Sequence, residues 1–243
     1  IINKSNIMGF YRGPNIVTDE LKFAVDAGSE RSYSGSGTAW NDLISNNNGV
    51  LTNSPAFSAA NGGSFDFDGV DDYVSVPSST DLDLTNVGTI SVWIKPHTVT
   101  QGSYANMVAR STGGGTNQQA YNFTWRQASS AIQLEICNGS GTYNRANMTL
   151  PTTANVWYNL TGTWNGSNLT IYSNGVSQVT ATQTTNAQVL NTALTIGGYT
   201  YKGAGGAQEY FNGNISNVKI YKKGFTAAEV LQNYNAQKSR FGL

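Results

Sequence analysis

The sequence predicts an all-β fold: a two-sheet antiparallel sandwich with one short C-terminal helix. Short segments of alternating apolar and polar residues recur along nearly the whole chain, and turn signals fall about every 8 to 12 residues. Only one stretch has helical periodicity. At 243 residues the chain is long enough for one large β domain with a substantial core.

Taken in order, "LKFAVD" (21–26) is the first strand, following a Gly-Pro break at Gly13 and Pro14. "SYSGSGTAWNDLISNNNG" (32–49) reads as a loop, because its Gly, Ser and Asn clusters offer no sustained alternation. "SFDFD" (64–68) sends Phe65 and Phe67 to the core and Asp66 and Asp68 outward; Asp68-Gly69 then turns the chain toward the strand "YVSV" (73–76). "GTISVWIKP", "YANMVAR", "YNFTWRQ", "AIQLEIC", "NVWYNLTGTW", "NLTIYSNG", "TALTIGG" and "GNISNVKIY" complete the strands, each bounded by Gly, Asn or Pro. Core positions expected from this pattern are Phe65, Phe67, Val92, Ile94, Trp157, Leu160 and Ile171. The helix lies in "FTAAEVLQNYNAQK": Thr226 is its N-cap, Glu229 the capping-box partner, and Val230, Leu231 and Tyr234 its apolar face. Residues 1–14 form an N-terminal arm without alternation, 15–236 the β domain, and 237–243 a C-terminal tail.

Charge excludes several functions. Lysine plus arginine equals aspartate plus glutamate at 14 each, so no basic field exists to gather phosphates, and nucleic acid is not an expected partner. No apolar run approaches the roughly 20 residues of a membrane-spanning helix. The single cysteine, Cys137, excludes an internal disulfide and a paired-thiol metal site, and alternation puts it on the face of Gln133 and Glu135. The single histidine, His97, ends a strand and reads as a turn residue rather than a catalytic base.

The blocks "GGSFDFDGVDDYVSVP", "GTISVWIKP", "NVWYNLTGTWNGSNLTIYSNGVSQ" and "LTIGG" followed by "FNGNISNVKIYKKGFTAAEVLQNYN" resemble, in order, those of the laminin-G-like, concanavalin A-like lectin/glucanase jelly roll. The resemblance runs from about Val17 to about Asn235. It implies a jelly-roll sandwich with carbohydrate, glycoconjugate or protein ligands on edge loops or a concave face, and calcium in many members. "GPNIVTDELKFAVDAGSERSY", "TAWNDLISNNNGVLTNSP" and "VLQNYNAQKSRFGL" are also similar to the variant found in structural proteins of tailed bacteriophages.

Asp68, Asp71 and Asp72 either cap and solvate a turn or, with Asp26, supply oxygens to a calcium ion. The position where relatives often carry an acid reads "GNISNV", so Asn214 and Asn217 offer only neutral oxygens there. The paired acids of jelly-roll glucanases, a Glu-x-Asp-x-(x)-Glu pattern on one strand, do not occur, and no catalytic residue is expected. Glycan ligands call for aromatic platforms and amide-rich loops. Candidates are Tyr104 and Asn106; Tyr143, Asn144 and Arg145; and Tyr199, Tyr201 and Tyr210. Trp93, Trp157 and Trp164 fall in core blocks, whereas the sequence leaves Trp40 and Trp125 unassigned.

The resulting expectation is a non-catalytic protein of a phage virion surface, a capsid decoration or tail-associated protein with a glycan-binding or adhesion role. It would join copies of itself or other virion proteins through Ile1–Pro14 and through Phe241 and Leu243 of the tail, as a homo-oligomer on the particle. The alternative is a carbohydrate-binding or adhesion module of a bacterial surface or secreted protein.

Overall fold

The computed structural model describes residues 14–113, 118–198 and 209–243. Its strands are β1 (Leu21–Asp26), β2 (Ala39–Trp40), β3 (Gly49–Thr52), β4 (Ala56–Ser58), β5 (Ser64–Asp68), β6 (Tyr73–Val76), β7 (Val87–Pro96) and β8 (Ala105–Ser111). They continue as β9 (Gln119–Arg126), β10 (Ala131–Cys137), β11 (Tyr143–Thr149), β12 (Tyr158–Asn165), β13 (Asn168–Ser173), β14 (Val176–Thr182), β15 (Leu194–Ile196) and β16 (Asn212–Tyr221). Helix α1 (Ala227–Gln237) follows and runs into a 3-10 turn at Lys238–Phe241.

The strands form two antiparallel sheets, as the all-β sandwich reading requires. One has the order β14-β13-β12-β7-β16-β5-β4, with β1 also on β16; the other has the order β11-β10-β9-β8-β15-β6-β3-β2. Period-two alternation buries Phe65, Phe67, Val92, Ile94, Leu160 and Ile171 of the first sheet against Val74, Val108, Phe123, Trp125, Ile132, Leu134 and Ile136 of the second. Trp40, Trp125 and Trp164 join this core, while Trp157 packs elsewhere, with Trp93 and Phe241 on the outer face of the first sheet.

Several local readings change. The Asp68-Gly69 turn does not close a hairpin: β5 pairs with β4 and β16, whereas β6 pairs with β3 and β15 in the other sheet. Gly69, with φ of 77°, allows this sheet-crossing corner. The 32–49 loop contains the short strand β2, with β3 beginning at its end; two- and four-residue strands leave little alternation to read. β11 and β14 are edge strands, the latter mostly exposed, so neither carries a strong apolar signature.

The helix start is as expected: the Thr226 hydroxyl accepts from Glu229 N and the Glu229 carboxylate accepts from Thr226 N. Its buried face differs, however. Val230 and Asn233 face inward and Leu231 is exposed, because Asn233 bonds Val17 N and the Tyr221 hydroxyl instead of leaving that place to an apolar side chain. No helix among the described residues is long and apolar enough to cross a membrane.

The C-terminal tail folds back on its own domain. Phe241 stacks on Trp93 at 3.9 Å between ring centroids and meets Trp157 at 4.8 Å. It is therefore covered within the chain, which corrects its assignment as a partner contact; Leu243 remains exposed. Residues 1–13 of the arm lie outside the described residues.

Candidate functional site

The outer face of the second sheet carries a polar groove of about 250 Å³ across β8, β9, β10 and β11. Alternation and register build it. Asn106, Thr124, Gln133 and Asn147 are successive cross-strand partners and form one rung; Asn122, Glu135 and Arg145 form the next. Neighbouring side chains lock the rungs: Thr124 Oγ1 donates to Asn106 Oδ1 at 2.7 Å and Gln133 Nε2 to Asn147 Oδ1 at 2.7 Å. Arg145 pairs with Glu135 across the strands. Polar side chains fixed to one another in this way present donors and acceptors without reordering on binding.

Tyr104 and Tyr143 mark two corners of the groove, each with an arginine against its ring. Arg126 lies 5.0 Å from the Tyr104 centroid and Arg145 4.3 Å from that of Tyr143. Tyr104 immediately precedes β8, whose Ala105 pairs with Trp125, whereas Tyr143 pairs with Cys137 at the far end of β10. Three inter-strand steps and six residues along the strand separate these corners, roughly 24 Å on the strand lattice. Burial, with Cys137 and Glu135 alongside, holds the Tyr143 phenol above its ordinary pKa and keeps its hydroxyl a neutral donor.

Of the residues singled out from sequence, Tyr104, Asn106, Tyr143 and Arg145 converge here. Asn144 does not. The three-residue polar cluster is a strand, so Asn144 points to the opposite face, where its Oδ1 accepts from Thr184 N and Thr185 N at 2.8 Å. Tyr210 is also separate, buried with its ring 6.5 Å from that of Tyr73. Tyr199 and Tyr201 lie outside the described residues.

Glu209 reaches the groove from just ahead of β16, its carbonyl accepting from Asn106 N, and burial pushes its carboxyl up to about 7. Glu209 and Glu135 stand 74 positions apart with no second acid on their own strands, and the sheet brings both to one groove. Arg126, Asn122, Thr124 and Gln133 were also missed as site residues, though the polar half of the alternation in "YNFTWRQ" and "AIQLEIC" is where they are visible.

The aspartates form a second cluster, at the sheet-crossing corner. Asp68 Oδ1 accepts from Val70 N at 2.7 Å and Asp71 N at 3.3 Å, and Asp72 Oδ2 accepts from Asp68 N at 3.2 Å, so these residues do cap the turn. One carboxylate oxygen from each of Asp68, Asp71 and Asp72 lies within 4.8 Å of the others. Burial, and then the charges of Asp68, Asp71 and Asp66, push the Asp72 carboxyl up to about 6. Crowded, partly buried oxygens are what a hard divalent cation relieves, so the triad fits calcium. Asp26 does not belong to it: Arg240 Nη1 bonds both its carboxylate oxygens at 2.8 Å. Asn214 and Asn217 are committed to His97 and Lys219. His97 lies 3.3 Å from Asp66 at the end of β7, away from the groove.

The structure is thus a two-sheet antiparallel sandwich with a preformed polar groove on one outer face. The chain belongs to the Concanavalin A-like lectin/glucanases superfamily, whose family model matches residues 68–231, about two thirds of it. No curated protein matches the chain.

Solved structures share the fold at low identity. Domain 4 of AbnA, an extracellular arabinanase from Geobacillus stearothermophilus in complex with arabinotriose, is 14% identical with a TM-score of 0.64, covering 88% of this chain and 98% of that one. The binding domain of Paraclostridial Mosquitocidal Protein 1 is 14% identical, with a TM-score of 0.69 over 89% of this chain and 52% of that one. The ligand-binding domain of botulinum neurotoxin serotype D, in complex with N-acetylneuraminic acid, is 14% identical, with a TM-score of 0.68 over 90% and 51%. The chain thus spans about half the length of the toxin domains it matches.

Proposed function

We propose that this chain is a non-catalytic carbohydrate-binding module of a surface or secreted protein, and that it holds glycans in the groove on the outer face of β8 to β11. The observation that carries this is the placement of Tyr104 and Tyr143 at opposite corners of a lattice of fixed amides and hydroxyls. Sugar rings present apolar faces that stack on such rings and hydroxyls that match neutral hydrogen-bonding groups. The sugar-bound domains among the structural neighbours support the same reading.

A virion setting has less support. It required both chain ends to dock on other subunits, and Phe241 is already covered by Trp93 and Trp157. Glu135 and Glu209 in one groove raise a glycosidase reading, since paired carboxyls perform that chemistry. Against it, the Glu135 carboxylate is held by Arg145 rather than left to act as base or nucleophile.

The test is a glycan array with the full chain, followed by calorimetry on the glycans retained. Tyr104→Ala and Tyr143→Ala should each weaken binding several-fold, while Tyr210→Phe should not. Retained affinity in both alanine variants would remove the groove as the site.

A further inference from the structure

We propose that the groove selects acidic glycans, with Arg126 receiving a sugar carboxylate. This rests on the groove being a glycan site and adds the charge of the ligand.

The two arginines of the groove are unlike. Arg145 is neutralised by Glu135. Arg126 makes no ion pair among the described residues. Its Nη1 donates to Gln133 Oε1 and its Nη2 to the Tyr104 hydroxyl, both at 3.3 Å and both neutral acceptors. Its Nε is buried with no hydrogen-bond partner. A guanidinium held only by neutral acceptors keeps its full charge, and the group its planar fork matches is an anion with two oxygens.

Geometry favours a carboxylate there. The guanidinium lies against the Tyr104 ring, so its planar fork is held in place before a ligand arrives. Two outward-facing rungs along β9, roughly 13 Å on the strand lattice, Asn122 Oδ1 is a second buried atom without a partner. Among the described residues, the other charged groups facing the groove are the Glu135–Arg145 pair, which cancels, and Glu209.

The experiment uses the full chain at pH 6. Probes are oligomers of galacturonate, mannuronate, guluronate and α2,8-linked N-acetylneuraminate, each beside its carboxyl-reduced counterpart, with binding read by calorimetry. At least one acidic oligomer should bind about 10- to 100-fold tighter than its reduced partner, the range of a charge-assisted hydrogen-bonded pair. Arg126→Gln should erase that ratio, weakening the acidic form far more than the reduced form, and Arg126→Lys should keep part of it. Should the glutamine variant fail to melt cooperatively, raising salt on the unaltered protein gives a second reading, because only the acidic form should weaken. Equal affinity within every pair, tighter binding of the reduced forms, or a ratio that survives Arg126→Gln overturns the proposal and leaves the glycan site standing. No binding by any oligomer, here or on a neutral glycan array, overturns both.

Discussion

Arg240 bonds both carboxylate oxygens of Asp26 at 2.8 Å, joining the last turn of the chain to the end of its first described strand. The same guanidinium donates to the carbonyls of Asn61, Gly62 and Gly63 and to Ser216 Oγ. A planar five-donor fork suits this arrangement, and a lysine cannot reproduce it. Arg240→Ala should cost about 2 to 3 kcal/mol, by loss of charge-assisted bonds and exposure of several acceptors without a donor. For a domain of this size that lowers the Tm by roughly 4 to 12 °C. Calorimetric melting checks it, and Arg240→Lys should recover only part of the loss. An unchanged Tm would mean that the tail is not a structural clasp.

The aspartate corner should make stability depend on pH and, where the triad holds calcium, on that ion. Burial and like charges raise the Asp72 carboxyl from 3.8 in the unfolded reference to about 6 in the fold. Between those values the folded state binds more protons than the unfolded one, so the contribution of Asp72 is fully present below pH 4 and is lost as pH rises through about 6. Asp72→Asn should flatten that part of the Tm profile. At pH 7.5 calcium added to chelator-treated protein should raise the Tm by mass action, and the effect should vanish in Asp72→Asn. No response to calcium would leave the triad as a turn cap alone.

Hydrolysis is not expected. With the Glu135 carboxylate paired to Arg145, no other carboxylate among the described residues lining the groove is free to act as a partner for Glu209. Incubation with the glycans that bind should leave their chain length unchanged by mass spectrometry. Product formation abolished by Glu209→Gln or Glu135→Gln would establish the glycosidase reading instead.

Much of the fold was legible because alternation is a local property. "SFDFD" shows directly which residues enter the core, and Phe65 and Phe67 do so. What alternation does not encode is which sheet a strand joins: Asp68-Gly69 looks the same whether it closes a hairpin or crosses the sandwich. The site was less legible. In "YNRANMT" three consecutive polar residues disguise an edge strand, so Asn144 was grouped with Tyr143 and Arg145 although its side chain points the other way. The polar halves of β9 and β10 were visible, but only distant partners distinguish a groove from a solvated face. Glu209, entering from beside β16, is one such partner.

The groove itself should respond to pH through Glu209. Its carboxyl is pushed up to about 7 by burial, so it is mostly neutral at pH 6 and mostly charged at pH 8. When it is neutral, the Glu135–Arg145 pair cancels and, among the described residues, Arg126 leaves the groove with an excess positive charge. Ionising Glu209 removes that excess and adds repulsion toward an anionic ligand. Acidic glycans should therefore bind several-fold more weakly at pH 8 than at pH 6, with neutral ones changing less. Glu209→Gln fixes the neutral form, so this variant should keep its pH 6 affinity at pH 8. Calorimetry at the two pH values with one acidic oligomer and its carboxyl-reduced counterpart separates the outcomes. A loss of affinity that persists in Glu209→Gln would assign the titration to another group, whereas tighter binding at pH 8 would reverse the sign of the groove's charge.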